Sequence, residues 1–426
     1  MQTRRRLLAG LGGLGGLGAL SGLGTLGARG APPASDRKMI LLFAEGGWDA
    51  TYALDPKLGV QGIEGPEVDP GGATERVLTF SGIPVAVNAE VRPSVQRFFA
   101  TWAPHSVVIN GISMGSLGHV SCRIRALTGT PGPLPGPDLS AIVGAELGAD
   151  RPVGSFAMTG SSYPGPLAAT IGQMGHQNQL TALLRPDTPV PGPSGRVLSG
   201  GGLDDRDLEA ILTWQQDRLG AARARFGPAA APQLDALDAS IQGAARLRGQ
   251  ADLLMDRLPP WVPIDLLSRA RTAVTLLEAG SCQGIVLDSG ERWDTHTSTQ
   301  DQSTNHEILF STLDALAHAL SARDLLEQTL VVVVSEMGRA PVRNSAGGKD
   351  HWSITSALLF GGGIRGGRVV GATGDGLAAE PIDLRTGEPD PRGSILGYAN
   401  LSAGILHHMG IDSRAWLPDA EPLLAL

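Results

Sequence analysis

Short apolar runs recur along this chain, and each stops abruptly at glycine, serine or acidic residues. Lys38–Ala44 (KMILLFA), Ser106–Asn110 (SVVIN), Gly284–Leu287 (GIVL), Val331–Val334 and Ser356–Phe360 do not alternate between apolar and polar positions. Unbroken runs of this kind suit strands buried on both faces, as in a parallel sheet covered by helices. Val153–Met158 reads as a shorter extended piece, and Leu139–Gly148 and Leu396–Met409 as helices. A helix is expected from about Asn305 to Gln328, with a capping box of Thr304 and Glu307 and a buried stripe of Leu309, Leu313, Leu316 and Leu320. Leu203 to Ala279 is mostly helical in pattern. Its stripes fall at Leu208, Ile211, Leu212 and Leu219, then at Leu234, Leu237 and Ile241, and Gly227-Pro228 and Pro259-Pro260 divide it into three helices.

In open α/β sheets, ligands bind beyond the carboxyl ends of the strands, so the polar residues at the strand exits are the candidate chemistry. The first run leads into Glu45-Gly46-Gly47-Trp48-Asp49, where Asp49 is either a site carboxylate or a cap. GIVL leads to Trp293-Asp294-Thr295-His296, a carboxylate and an imidazole two residues apart, which is a natural metal-binding pair. The valine run leads to Ser335-Glu336-Met337-Gly338-Arg339, then a glycine-rich loop ending in Lys349-Asp350-His351-Trp352. Five further histidines read as surface or structural groups: His176 in a polar loop, His306 in a first helical turn, His318 off its stripe, and the adjacent His407 and His408.

SEMGR followed by GGKDHW resembles the SEFGR and DHW signatures of the exported family called domain of unknown function 1501, a branch resembling the alkaline phosphatase/sulfatase superfamily. Gly46-Gly47-Trp48-Asp49 is similar to its opening GG-x-D element, and Asp294-Thr295-His296 to its G-x-D-T-H motif. The resemblance implies a three-layer α/β/α sandwich, alkaline phosphatase-like, with a mostly parallel sheet; residues 203–280 read from their own pattern as a helical layer or insertion that covers the sheet or mediates association. It also implies that Asp294, His296 and His351 match the ligands of one metal ion. Asp49 and Glu336 match carboxylates of a second, with Met337 standing where a ligating histidine is expected. HVSCRIRALTG resembles the sulfatase signature, with Arg123 on the signature arginine and His119 where the nucleophile belongs. One divalent ion is therefore expected, zinc or manganese ahead of calcium or magnesium. The implied function is a metal-dependent hydrolase of phosphate or sulfate esters. A water molecule or His119 would attack, and Arg123 or Arg339 would offset the charge of an anionic small-molecule or glycan substrate. The alternative is a non-catalytic metal- or glycan-binding envelope protein on the same scaffold.

Composition narrows the setting. With 42% hydrophobic and 18% charged residues, the 426-residue chain falls in the globular range. The net charge of −8 argues against nucleic acid as a partner. Thr3-Arg4-Arg5-Arg6-Leu7-Leu8 resembles a twin-arginine export motif, and the Leu/Gly segment that follows holds nine glycines between Gly10 and Gly27. That makes it a poor membrane span and favours a cleaved signal over residues 1–30, ahead of one domain over 31–426. The expected setting is the periplasm or the exterior, reached through the twin-arginine machinery, with no stable span in the mature chain. Loss of four arginines and no acid would leave 30 basic residues against 42 acidic ones, or −12. Cys122 and Cys282 are read either as a disulfide or as two buried thiols.

Overall fold

Each long apolar run forms a strand of one eight-stranded sheet. The structure, a computed structural model, describes residues 36–132, 135–174, 179–186, 190–191, 197–199, 202–258 and 265–426. The signal-like segment 1–30, His176 and Pro259-Pro260 lie outside the described residues. The strands are β1 (Lys38–Ala44), β2 (Ser106–Ser113), β3 (Ser155–Met158), β4 (Ile171–Gln173), β5 (Gly284–Asp288), β6 (Thr329–Ser335), β7 (Ile354–Gly361) and β8 (Arg368–Val370). Their spatial order is β8-β2-β7-β6-β1-β5-β3-β4. β7 runs antiparallel to both its neighbours, and every other pairing in this sheet is parallel. The register decides where the exits fall: Ala44 lies opposite Ser335, and Phe43 opposite Asp288. Three acidic exits therefore open side by side.

Alternation along β1 explains why its sequence shows none. Ile40, Leu42 and Ala44 enter one core, Met39, Leu41 and Phe43 the other, and all six are fully buried. Burying a side chain such as Leu or Phe contributes about 1.5–3 kcal/mol, so apolar residues are favoured at every position of such a strand. Three helices cover the first face: α1 (Pro93–Trp102), α6 (Leu266–Glu278) and α7 (Gln300–Ser321). The other face packs on α2 (His119–Thr128), α3 (Leu139–Leu147) and α8 (Tyr398–His408). The result is a three-layer α/β/α sandwich. Cys122 and Cys282 are free buried thiols in the two opposite cores.

Two helical expectations are corrected. α7 begins at Gln300, and its N-cap, Thr299, makes no capping bond through its side chain. Glu307 instead accepts from the Ser94 backbone N–H (2.9 Å) and hydroxyl (2.6 Å), a partner 213 residues distant. His306 thus lies within α7 and is completely buried. The stripes of α4 (Asp205–Phe226) and α5 (Ala231–Arg248) do not reach the sheet core. Leu219 is buried on α4, but Ile211 and Leu237 are exposed, as are Trp214 and Phe226. Polar bonds from Gln216 and Arg223 to Asp238 join the two helices, and of α5 Leu247 enters the sheet core. α6 covers the sheet through Leu266, Ala270, Ala273 and Leu277.

Candidate metal centre

Glycine lets the β1 and β5 exits touch. Gly46 has φ +125°, and a Cβ there would fall 2.5 Å from the Asp294 nitrogen, so no other residue fits without a backbone shift. Two buried tryptophans anchor the turns: Trp48 and Trp293 meet edge to face with centroids 6.2 Å apart. The Trp48 Nε1–H donates to Thr355 Oγ1 (3.0 Å) and the Trp293 Nε1–H to Ser289 Oγ (2.8 Å). Gln302 of α7 ties the loops together, accepting from the Asp49 N–H (2.8 Å) and donating to the Trp293 carbonyl (3.0 Å).

Above these anchors four side chains converge. Asp294 Oδ1 is 3.1 Å from Nε2 of both His296 and His351, whose Nε2 atoms are 2.9 Å apart. Asp294 Oδ2 is 3.5 Å from His119 Nε2. Candidate ligand atoms of His119, Asp294 and His351 all lie within 4.8 Å of one another. His296 joins from the solvent side. The opposite ring nitrogens have acceptors: His119 Nδ1 faces Glu336 Oε1 (3.0 Å), His351 Nδ1 the Leu117 carbonyl (2.8 Å), and His296 Nδ1 Asp350 Oδ1 (3.2 Å). Those partners place the ring proton on Nδ1 and leave three Nε2 lone pairs facing one carboxylate. Lone pairs crowded this way repel unless a cation sits among them. Three outward-tethered imidazoles and a carboxylate form a donor set suited to a divalent ion that can expand its coordination to take a further ligand.

The electrostatics agree with that reading. Burial works against ionisation of Asp294, but the hydrogen bond from Arg339 and the charge of its guanidinium outweigh it and hold the carboxyl down to about 2. The hydrogen bond to Glu336 raises the His119 pKa, against an opposing effect of burial. Glu336 is fully buried and accepts twice from the Gly46 N–H, at 2.7 and 2.9 Å. It orients His119 and lies outside the group of converging donors.

Other expected residues fall elsewhere. Asp49, expected as a ligand, is buried against Lys349, with Nζ 2.7 Å from Oδ2. Its other oxygen accepts from the Thr51 N–H (3.1 Å) and hydroxyl (2.6 Å), so it caps the short turn Ala50–Tyr52. Arg339, expected to face an anion, is buried and bonded to protein oxygens. Arg123 lines the cleft beside the donors but pairs with Glu45, and it donates to Ser161 Oγ (3.3 Å). His119, expected at the nucleophile position, stands among the converging side chains. His306, read as a surface residue, is enclosed by Trp48, Tyr52 and Trp293, and burial lowers its pKa to about 4. Lys349 and Gln302 carry no signal in the sequence, because the Asp49 each of them meets is hundreds of residues away. Glu45 was visible as the first residue after β1. The cleft is open, about 630 Å³, with Glu45, Asp288 and Glu291 on its walls.

Residues 36–421 match the family described as "Protein of unknown function (DUF1501)". The chain belongs to this family. Solved structures with a similar course include Ps i-CgsB in complex with k-i-k-neocarrahexaose (11% identity, TM-score 0.39, covering 90% of this chain and 75% of that one). Two others are the putative sulfatase yidJ of Bacteroides fragilis (9%, 0.33, 91% and 76%) and a protein of the alkaline phosphatase superfamily from Vibrio parahaemolyticus (11%, 0.33, 88% and 67%). Likeness at this level assigns no activity. A 121-residue stretch is 30% identical to the large ribosomal subunit protein bL12c of Spinacia oleracea, over 27% of this chain and 63% of that protein, which is less than two thirds of its length.

Proposed function

We propose that this family member is an exported hydrolase of phosphate or sulfate esters, dependent on one divalent ion, zinc or manganese ahead of calcium or magnesium. The observation that carries this reading is the meeting of three imidazole Nε2 atoms and the Asp294 carboxylate at the mouth of a cleft. Asp294, His119, His296 and His351 would hold the ion, which supplies Lewis-acid polarisation of an ester oxygen and a lowered pKa for water. Glu336 fixes the ring of His119, and Glu45 lines the cleft, where it can take up or return a proton. Arg123 is the guanidinium placed to meet an anionic group, by exchanging its Glu45 partner for the substrate. That pairing also favours a second reading, a non-catalytic metal- or glycan-binding envelope protein, because the arginine is already neutralised.

Turnover decides between them. Zinc- or manganese-loaded protein is assayed on aryl phosphates, phosphonates, sulfates and sulfated sugars, beside His351→Ala. The hydrolase reading expects turnover of at least one ester, reduced about 100-fold or more in the variant. No turnover by the loaded wild type on any of these would sink it. The export segment is tested separately: replacing Arg4, Arg5 and Arg6 with Lys should hold the chain in the cytoplasm, and unchanged export would refute that route.

A further inference from the structure

We propose that Arg339 is a positioning residue, an internal cation that assembles the metal centre before any ion arrives. This rests on the metal-centre reading above. Arg339 lies on the two-residue strand Gly338–Arg339, paired antiparallel with His351–Trp352, so its backbone sits directly opposite His351. Its side chain is fully buried and reaches into the junction of the exits. Nε donates to the Gly47 carbonyl (2.8 Å) and Nη1 to the Lys349 carbonyl (3.0 Å). Nη2 reaches the Trp293 carbonyl (3.1 Å), the Gly46 carbonyl and Asp294 Oδ1 (2.7 Å).

One planar group therefore binds the β1 exit, the β5 exit and the loop that carries His351. Carbonyl oxygens and a carboxylate brought this close repel one another, and burial keeps water from separating them. A guanidinium supplies the positive charge and up to five N–H donors in a rigid fork; an ammonium offers a point charge with three donors and cannot span the same partners. The chain makes room for it. A Cβ on Gly47 would lie 2.7 Å from Met337 Cγ and 3.3 Å from Arg339 Nη2. The consequence for the donors is orientational. With Oδ1 tied to Arg339, Asp294 turns that oxygen toward His296 and His351 and leaves Oδ2 for His119.

The test is calorimetric titration of zinc into metal-free wild type, Arg339→Ala and Arg339→Lys, with folding checked by circular dichroism. The alanine variant is also titrated in millimolar methylguanidinium or methylurea. The expected result is zinc affinity about 10–100-fold weaker in Arg339→Ala, since supporting groups around metal ligands carry effects of that size. Methylguanidinium should restore most of it, methylurea should not, and Arg339→Lys should stay weak. A folded alanine variant with wild-type affinity would overturn the proposal, as would equal rescue by the uncharged methylurea. If the alanine variant does not fold, wild-type affinity in Arg339→Lys overturns it in the same way. Absence of zinc binding by the wild type would instead remove the metal-centre reading itself, an outcome visible without any substitution.

Discussion

The exits of β1 and β5 carry the same dipeptide, Trp48-Asp49 and Trp293-Asp294, yet the two aspartates come to opposite ends. Asp49 is 1% exposed and locked to Lys349, whereas the Asp294 side chain is 44% exposed among three histidines. The difference does not arise within either turn. It comes from the loop after β6, which delivers Lys349 to one carboxylate and, two residues later, His351 to the other. Asp49, enclosed with its cation, becomes structural. Asp294 also has a cation, Arg339, but stays partly exposed among three imidazoles. Burial separates them further, since an unpaired charge is far costlier at Asp49 than at Asp294.

Exchanging the roles of the two carboxylates is the strongest challenge to this comparison. Asp294→Asn should weaken zinc binding on the order of a thousandfold, taking one of four donors from a site of ~10–16 kcal/mol. Without metal its stability should fall, though by less than in Asp49→Asn, since Arg339 loses a carboxylate but keeps its carbonyl partners, and calorimetry beside thermal melts checks both. Asp49→Asn should show the converse: about 3–5 kcal/mol of stability lost in denaturant unfolding, because the Lys349 ammonium is left buried and unpaired. Zinc affinity of the folded fraction should be retained. Zinc lost from Asp49→Asn at unchanged stability would put Asp49 back among the ligands.

A smaller effect concerns His306, which lies beneath both turns with Arg92 and Asp49 as its charged neighbours. Burial lowers its pKa from the ordinary 6.5 to about 4, so the folded state keeps it neutral where the unfolded chain protonates it. Stability is therefore fully present above pH 6.5 and falls as the pH drops toward about 4, by about 3 kcal/mol in all. His306→Phe should flatten that part of the stability–pH curve, and an unchanged slope would show that other groups carry it. Smallest is the Arg123–Glu45 pair, whose side chains are 25% and 40% exposed. Arg123→Ala should change stability by less than about 1 kcal/mol, against the several expected at the equally salt-bridged but buried Asp49.

The strands and their exits were legible because burial on both faces writes itself as an unbroken apolar run. Lys38–Ala44 forms β1 over the same residues, and Asp294, His296 and His351 lie close together beyond the strand exits. What could not be read is pairing across long sequence separations. Glu307 looked like half of a capping box because Ser94, its true partner, is 213 residues away. Asp49 looked like a ligand because Lys349 is 300 residues away. The helical stripes of α4 and α5 were visible as periodicity, but periodicity does not say whether a helix faces the sheet or its neighbour. His119 was noticed for its place in a motif, and only the fold shows its Nε2 turned toward Asp294.

The most direct measurement is zinc K-edge X-ray absorption on protein loaded with one equivalent of zinc. The convergence of His119, His296, His351 and Asp294 predicts about four nitrogen or oxygen neighbours at roughly 2.0–2.1 Å, with imidazole scattering that weakens in His351→Ala. An all-oxygen shell without imidazole scattering, or failure to retain one equivalent, would contradict it.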